Sequence, residues 1–496
     1  MGIIIKQSIK GSIWSYIGVI LGFITTAYLF PKYLTPDVVG LFGLLLAWST
    51  LFAQFAGLGF NGVTSRLFPY FRNKEKGHNG FLFIAFMVMI IGFVLFVIVF
   101  WFLRPWLIES NLEKSELFTE YVNLLVPLTF FMLLFSFLDI FNKLLYDAVL
   151  GTFLMEFLQR LFILVAVLCF VFHWYTLHQL VLAYAGVVSL KGLIIFIYLL
   201  IKGELDFRPQ LHFIDKKLQK EIVNVAFYTI LVGVGGSIVF RVDKIIVNQM
   251  LGLSETGIYT IAFYFGTLVV IPSRPLLRIT GTLIADAWKR NDVPYIADVY
   301  KRSCINQFII GAFLFGGIWV NIDNILIVLG PDYASGKWVI FFIGLGYLID
   351  MVTGANGLVI SYSKYFRMAL WFLLVLLILV FSSMFLLIPV WGITGAAVAI
   401  ALSFLINNLM RYIFLYKKYR MQPFSTHFLI VIAAFICAYL IGYVVPKLPL
   451  VFDILIRGFL FAFVFVAIIV GLKISMDLND TLLKVWLQTK NFVAKK

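Results

Sequence analysis

The chain is short of what a water-facing protein needs. Only 13% of its 496 residues are charged, about half the roughly 25% usual in a soluble domain, so a solvated surface has too few charges to cover it. Cysteine is nearly absent: Cys169, Cys304 and Cys437 stand alone, which argues against a disulfide framework or a thiolate metal cluster. The histidines, His78, His173, His178, His212 and His427, are scattered without zinc spacing. No P-loop or nucleophile elbow occurs. Gly57-Leu-Gly59-Phe-Asn-Gly62 fits GxGxxG, but it follows an apolar helical run instead of a strand and no βαβ unit surrounds it, so no nucleotide site is assigned. No segment is large enough for a soluble ATPase domain. These absences leave no catalytic residue, metal or cofactor to assign, and the chain is not read as an enzyme.

What is present is apolar. Hydrophobic residues make up 62% and mean hydropathy is +1.02, which excludes disorder. The expected class is an all-α polytopic membrane protein. A bilayer-crossing helix needs about 20 mostly apolar residues, and about fourteen such runs are found, from 12–30 to 454–472. They are too long for strands and lack the alternation of a membrane barrel. The first run has a long apolar core and no small-residue cleavage site, so it is read as a span and not as a removable signal.

The formal charge of +15 would suggest a nucleic-acid partner in a soluble protein, and none is expected here. Cytoplasmic loops of membrane proteins concentrate Lys and Arg. With the N-terminus placed inside, the inner segments collect 29 of the 39 basic and 11 of the 24 acidic residues, and the outer loops 6 and 9. Within spans remain Arg160, Lys191, Arg241 and Lys244 against Asp139, Glu156, Asp243 and Asp350. Most of the +15 therefore orients the chain, with both termini cytoplasmic. The stretches 203–222 and 474–496, the latter with Leu482, Leu483, Trp486 and Phe492 among lysines, look amphipathic and suit the inner leaflet.

An internal repeat divides the chain. Leu34-Thr-Pro-Asp-Val-Val-Gly40-Leu-Phe42 follows span 1, and Leu251-Gly-Leu-Ser-Glu-Thr-Gly257-Ile-Tyr259 follows span 7, at an offset of 217 residues. Six spans lie between them, so the halves share one orientation, as in parallel-repeat transporters. The expected organisation is a six-helix lobe at 1–202, a cytoplasmic amphipathic linker at 203–222, a second six-helix lobe at 223–420, and two additional helices with a cytoplasmic tail at 421–496. Two lobes suit alternating access. Gly233, Gly235 and Gly236 in span 7, and Gly344, Gly346, Gly354 and Gly357 in span 10, suit either a hinge or close helix packing.

Ionisable residues inside a membrane are costly and mark function. On one helix Arg241 and Lys244, three apart, share a face while Asp243 points away. That face needs an anion, either an acid on a neighbouring span (Asp350 or Glu156) or a ligand. Glu156 and Arg160 have the spacing of an intrahelical pair. Glu156, Asp350 and Asp243 are candidates for ion coupling. Lys191 and Asp139 are candidates for a pair across helices, or for snorkelling. At the inner ends of spans 2 and 8 lie Arg66, Arg72, Arg274 and Arg278, which suit phosphate capture as well as simple positive-inside topology.

Several short motifs carry a resemblance. Gly11-Ser12 with Tyr33-Leu34-Thr35-Pro36-Asp37-Val38-Val39-Gly40-Leu41-Phe42 is similar to an LGPxxxGxF turn, with Thr35 where Gly is usual. Ala56-Gly57-Leu58-Gly59 with Arg66, then Asp243 with Leu251-Gly252 and Gly257-Ile258-Tyr259, then Trp391-Gly392-Ile393-Thr394-Gly395-Ala396-Ala397, extend it over most of the chain. The sequence resembles polysaccharide-repeat (O-antigen and capsule) flippases of the multidrug/oligosaccharidyl-lipid/polysaccharide exporter superfamily. The resemblance implies two lobes around a cationic cavity. It implies movement of an undecaprenyl-diphosphate-linked oligosaccharide from inner to outer leaflet of the bacterial inner membrane for surface polysaccharide biosynthesis, alongside a polymerase and chain-length machinery. The related lipid II flippases carry arginines in span 1; here span 1 has none after Lys10. That leaves Arg241, Lys244, Arg66, Arg274 and Arg278 as expected headgroup contacts. Two other classes remain open: a drug/cation antiporter of the same superfamily, which would want an acidic cavity, and a membrane-embedded polymerase, which would want a longer outer loop than 104–120.

Overall fold

In a bilayer every backbone polar group must be satisfied within the chain, so apolar spans become helices. The computed structural model, which describes residues 2–239 and 241–480, is built on this rule, and among the described residues no strand forms. The spans run as follows: span 1, Lys10–Tyr33; span 2, Pro36–Ala56 continued by Phe60–Phe71; span 3, Phe81–Glu109; span 4, Glu116–Leu144; span 5, Val149–Val171; span 6, Leu177–Ile201; and span 7, Lys216–Val239 continued by Val242–Leu251. Span 8 is Leu253–Thr267 continued by Ser273–Lys289, span 9 is Val293–Val320, and span 10 is Pro331–Val352 continued by Asn356–Tyr362. Spans 13 and 14 are Thr426–Val444 and Leu450–Gly471.

Spans 11 and 12 share one helical run, Met368–Tyr419. Fifty-two residues in a straight helix would reach about 78 Å, more than twice the hydrocarbon core of about 30 Å. The run folds back at Gly392, whose φ of 56° and ψ of −138° suit glycine. The two limbs then lie against each other: Ser383 Oγ is 3.4 Å from Ser403 Oγ, and the Phe372 and Phe414 ring centres are 5.8 Å apart. Counting that hairpin as two spans gives the fourteen expected.

By packing, the chain divides into two compact units, 1–261 and 262–496. Within the first, span 2 is the central element, with 72% of its apolar window buried against 17% for spans 5 and 7. Spans 1 and 5 each contain a π-helical turn, Phe23–Leu29 and Phe153–Leu158, a feature often found at functional positions. They pack closely, since a side chain at Gly18 would overlap the Glu156 backbone carbonyl. Span 7 and the start of span 8 pack in this unit too. The stretch 203–222 is not a surface helix. It is extended with one 3-10 turn at Leu211–Phe213, and from Lys216 it already belongs to the helix of span 7. It folds back under spans 2 and 3, where Phe207 meets the Phe86 ring edge-on at 4.7 Å and Gln210 Nε2 donates to the Lys76 carbonyl at 3.0 Å. Leu482, Leu483, Trp486 and Phe492 lie outside the described residues.

The repeat is visible in the packing of the first unit. A side chain at Gly40 would overlap the Leu253 carbonyl oxygen, and one at Gly257 would overlap the Pro36 carbonyl oxygen. Pro36 and Gly40 correspond to Leu253 and Gly257 at the 217-residue offset. Each repeat's helix start therefore seats its glycine on the other's carbonyl, the reciprocity of a two-fold contact.

Within the second unit, the connected ends of spans 13 and 14 are stapled by Asp453. Its Oδ2 accepts from Arg457 Nε at 2.7 Å and from Asn324 Nδ2 at 2.6 Å, while its Oδ1 accepts from the Leu448 N–H at 3.1 Å. Arg457 also donates to the carbonyls of Gly442 and Val445.

Candidate functional site

Span 7 breaks where the charged cluster begins. The helix Lys216–Val239 runs without interruption through Gly233, Gly235 and Gly236, and Gly233 is a packing position whose side chain would meet Gln54. The break comes later: Arg241 has φ −136° and ψ −22° and precedes the helix Val242–Leu251. Arg241 and Lys244 therefore do not occupy one continuous helix, and the face-sharing expected of them from spacing does not apply. Arg241 is half-buried, and its side chain has no hydrogen-bond or ion-pair partner among the described residues. Asp243 is buried. It accepts from the Tyr259 hydroxyl at 3.0 Å through Oδ2, while its Oδ1 has no hydrogen-bond partner, and its charge acts on Lys244 beside it.

The acids proposed as neutralisers are engaged elsewhere. Glu156 binds Arg160 at 2.6 Å, and Arg160 Nη1 also donates to the Gly18 carbonyl at 2.8 Å. Gly22 leaves the room, because a Cβ there would stand 2.8 Å from that Nη1. Asp139 binds Lys143 at 2.5 Å, so the Lys191–Asp139 pair does not form. Lys191 donates instead to Gln159 Oε1 at 3.0 Å and lies 5.1 Å from the Phe135 ring centre.

In the second unit Asp350 accepts from Asn408 Nδ2 at 2.9 Å, and Asn408 Oδ1 in turn accepts from Thr353 Oγ1 at 3.0 Å and Asn356 Nδ2 at 2.9 Å. Asp350 also acts on Arg411. Arg411, not named among the in-span charges above, lies inside the helical run of span 12. The polar run Asn407-Asn408 followed by Arg411 in an apolar helix was the signal that could have shown this. In span 10, Gly344 and Gly346 pack on Phe315 and Ala401, whereas Gly354, with φ +57°, sits at the actual helix break.

The inner-end arginines divide in two. Arg72 is consumed by structure, donating to the Leu144 carbonyl and the Tyr146 hydroxyl, each at 2.6 Å. Arg66, Arg274 and Arg278 are exposed, and their side chains have no partner among the described residues. They are free to meet a ligand.

At the other end of span 7 the loop between spans 3 and 4 closes on the helix. Asn248 donates to Asn111 Oδ1 at 2.6 Å and accepts from Ser115 Oγ at 2.8 Å; Lys114 Nζ donates to the Met250 carbonyl at 3.0 Å, and the Leu253 N–H to the Lys114 carbonyl at 3.1 Å. The same loop walls a groove of about 670 Å³ with Arg104, Glu109, Glu113 and Lys114 among its lining residues. Two cations and two acids balance there, so that groove offers no excess charge to an anion. The unbalanced cations lie deeper, at Arg241 and Lys191.

The fold and these charges define an all-helical, multi-pass membrane protein with an internal repeat. The chain belongs to the polysaccharide biosynthesis protein family, whose model matches residues 6–283. It is similar to a probable low-salt glycan biosynthesis flippase, Agl15, of Haloferax volcanii, at 23% identity over 195 residues, covering 39% of this chain and 41% of that protein. The match thus spans about two-fifths of that relative's length. Among solved structures, the lipid II flippase MurJ in an inward closed conformation superposes with a TM-score of 0.76 at 15% identity, over 94% of this chain and 100% of that one. An inward-facing multidrug resistance MATE family transporter of the MOP superfamily gives 0.66 at 15%, over 82% of this chain and 94% of that one. At these identities the likenesses establish the fold.

Proposed function

We propose that the chain is a flippase that carries an undecaprenyl-diphosphate-linked oligosaccharide from the inner to the outer leaflet, for surface polysaccharide biosynthesis, by alternating access. The family, the flippase named among its relatives and the fold support the class. The observation that carries the substrate is the cation excess inside the first unit, where Asp139 and Glu156 are committed to other partners and the single carboxylate of Asp243 faces both Arg241 and Lys244. An unpaired buried charge is expensive, and a phosphate-bearing ligand supplies the missing anion. Arg66, exposed in the first unit, gathers the diphosphate by bidentate contacts, and Arg241 and Lys244 hold it; in the second unit the exposed Arg274 and Arg278 are suited to the same kind of contact. The sugars are not specified by any of these contacts.

Of the candidate coupling acids, Asp243 fits best. Glu156 is spent on Arg160 and Asp350 on an amide network, whereas Asp243 keeps one buried oxygen without a hydrogen-bond partner. The setting is the bacterial inner membrane with both termini cytoplasmic, and a polymerase and chain-length machinery use the product. The likeness to a MATE transporter raises a drug/cation antiporter as the alternative, but a surplus of cations repels organic cations. The test is flipping of a fluorescent polyprenyl-diphosphate glycan in vesicles. Replacing Arg241 and Lys244 by Gln should abolish flipping in a protein that still inserts; unimpaired flipping would refute the assignment.

A further inference from the structure

The in-membrane charges of the first unit do not balance. Asp139 is bound to Lys143 and Glu156 to Arg160, and Asp243 acts on both Lys244 and Arg241. Three carboxylates therefore face five cations, and Arg241, which shares Asp243 with Lys244, and Lys191 form no ion pair among the described residues. They belong together. The charge of Arg241 acts on Lys191, and on Tyr184 one helical stretch away on the same span as Lys191. Their depths agree as well. Lys191 lies 14 residues past the outer end of span 6 at Leu177, and Arg241 lies 10 before the outer end of span 7 at Leu251. At 1.5 Å per residue these are roughly 21 and 15 Å, near the middle of a core about 30 Å thick.

Lys191 is 8% exposed, so its charge is held out of water. An ammonium has three donors, and Lys191 spends one, on the neutral amide of Gln159. Gln159 and the Phe135 ring fix the amine without cancelling its charge. An ordinary buried lysine would be expected to sit beside an acid, and here the acids that reach it, Glu156 and Asp139, are each already neutralised.

We infer that Lys191 and Arg241 form a two-charge site that selects a diphosphate diester over a phosphodiester of the same lipid's size, with Lys191 as the specificity-determining residue. The inference rests on the anionic-headgroup reading above and adds charge counting to it. A lipid–diphosphate–sugar linkage has two ionised phosphates, one for each unmatched cation. A ligand with one phosphate linkage leaves one of the two buried cations uncompensated. Lys191 supplies the second contact, and Gln159 positions it.

The experiment measures binding of the full-length chain in detergent to a polyprenyl diphosphate sugar and to a polyprenyl phosphate sugar of equal chain length, a diphosphate diester and a phosphodiester. The wild type should prefer the diphosphate. Lys191→Met keeps the apolar stem and removes the charge. A charge-assisted hydrogen bond contributes about 1.5–3 kcal/mol, so diphosphate affinity should fall about tenfold or more, with phosphodiester affinity nearly unchanged. Lys191→Arg should restore the preference. If Lys191 merely supports structure, Met weakens both ligands alike and Arg rescues neither, which overturns the proposal. A preference unchanged in Lys191→Met overturns it too, while leaving the flippase reading intact. Binding of neither lipid by the wild type would bring down the anionic-headgroup reading, and this inference with it.

Discussion

At the scale of single residues, the ionisable groups in the membrane separate by what their partners leave over. Asp453 and Arg457 leave nothing: each carboxylate oxygen is occupied, and the guanidinium caps the carbonyls that end span 13. Removing one member strands a charge that is 4% exposed, which costs about 3–5 kcal/mol, whereas replacing both members of such a pair is often nearly neutral. Arg457→Met should therefore lower the thermal unfolding midpoint markedly, and the double variant Asp453→Asn with Arg457→Met should recover much of the loss. A double variant as unstable as the single one would show that carbonyl capping, not the ion pair, holds the hairpin. Sequence alone displayed the in-span charges but not their pairing. Glu156–Arg160 follows from a four-residue spacing, which is local. Asp139–Lys143 has the same spacing on one helix, whereas the turn of Lys191 to Gln159 depends on how spans 5 and 6 pack, and no local pattern reports it.

At the scale of helices, the apolar spans were legible because bilayer thickness sets their length and the lack of water forces helix. Their interruptions were less so. Gly233, Gly235 and Gly236 invited a bend in span 7, yet that stretch stays helical, with Gly233 packed on Gln54, and the break falls at Arg241. In span 10 the glycine cluster did mark a break, at Gly354, where a positive φ is required. The linker 203–222 reads as an amphipathic surface helix, but its first part is extended and holds to span 3 through the Phe207–Phe86 ring contact, and from Lys216 it is the helix of span 7. The repeat motif has the clearest structural meaning. Gly40 and Gly257 each press on a backbone carbonyl of the other repeat, and the Asn248–Asn111–Ser115 bonds secure the same outer end. The alternating access proposed above would require this contact to part. A methyl group at either glycine meets backbone that cannot yield, and overpacking of this kind costs about 1–3 kcal/mol. Gly40→Ala and Gly257→Ala should each loosen the outer end, and by similar amounts because the contact is reciprocal. The measurement is reaction of a cysteine placed at the fully buried Thr256 with an impermeant maleimide added from outside. If neither alanine raises the labelling rate, the contact is not the outer closure.

At the scale of the whole chain, one glycine decides the sidedness of everything after it. The run Met368–Tyr419 satisfies the length and hydropathy of a single span, which leaves thirteen membrane-length helices among the described residues. An odd number would put the two ends of the chain on opposite faces of the membrane. The reversal at Gly392 turns that run into two spans, restores an even number, and returns Lys417, Lys418 and Arg420 to the same side as Lys364 and Arg367. That is also the arrangement in which Lys and Arg gather on one side, so backbone geometry and charge distribution, which are independent, agree. A bacterial alkaline phosphatase fused after Lys496 should be inactive and a fluorescent protein at the same position bright, as for a cytoplasmic terminus. Fusions truncated within 389–392 should reverse both readings, because the outer turn of the hairpin lies there. Phosphatase activity at the C-terminal fusion would mean that the run crosses the membrane once, and the inner placement of the basic loops beyond it would fall with the hairpin.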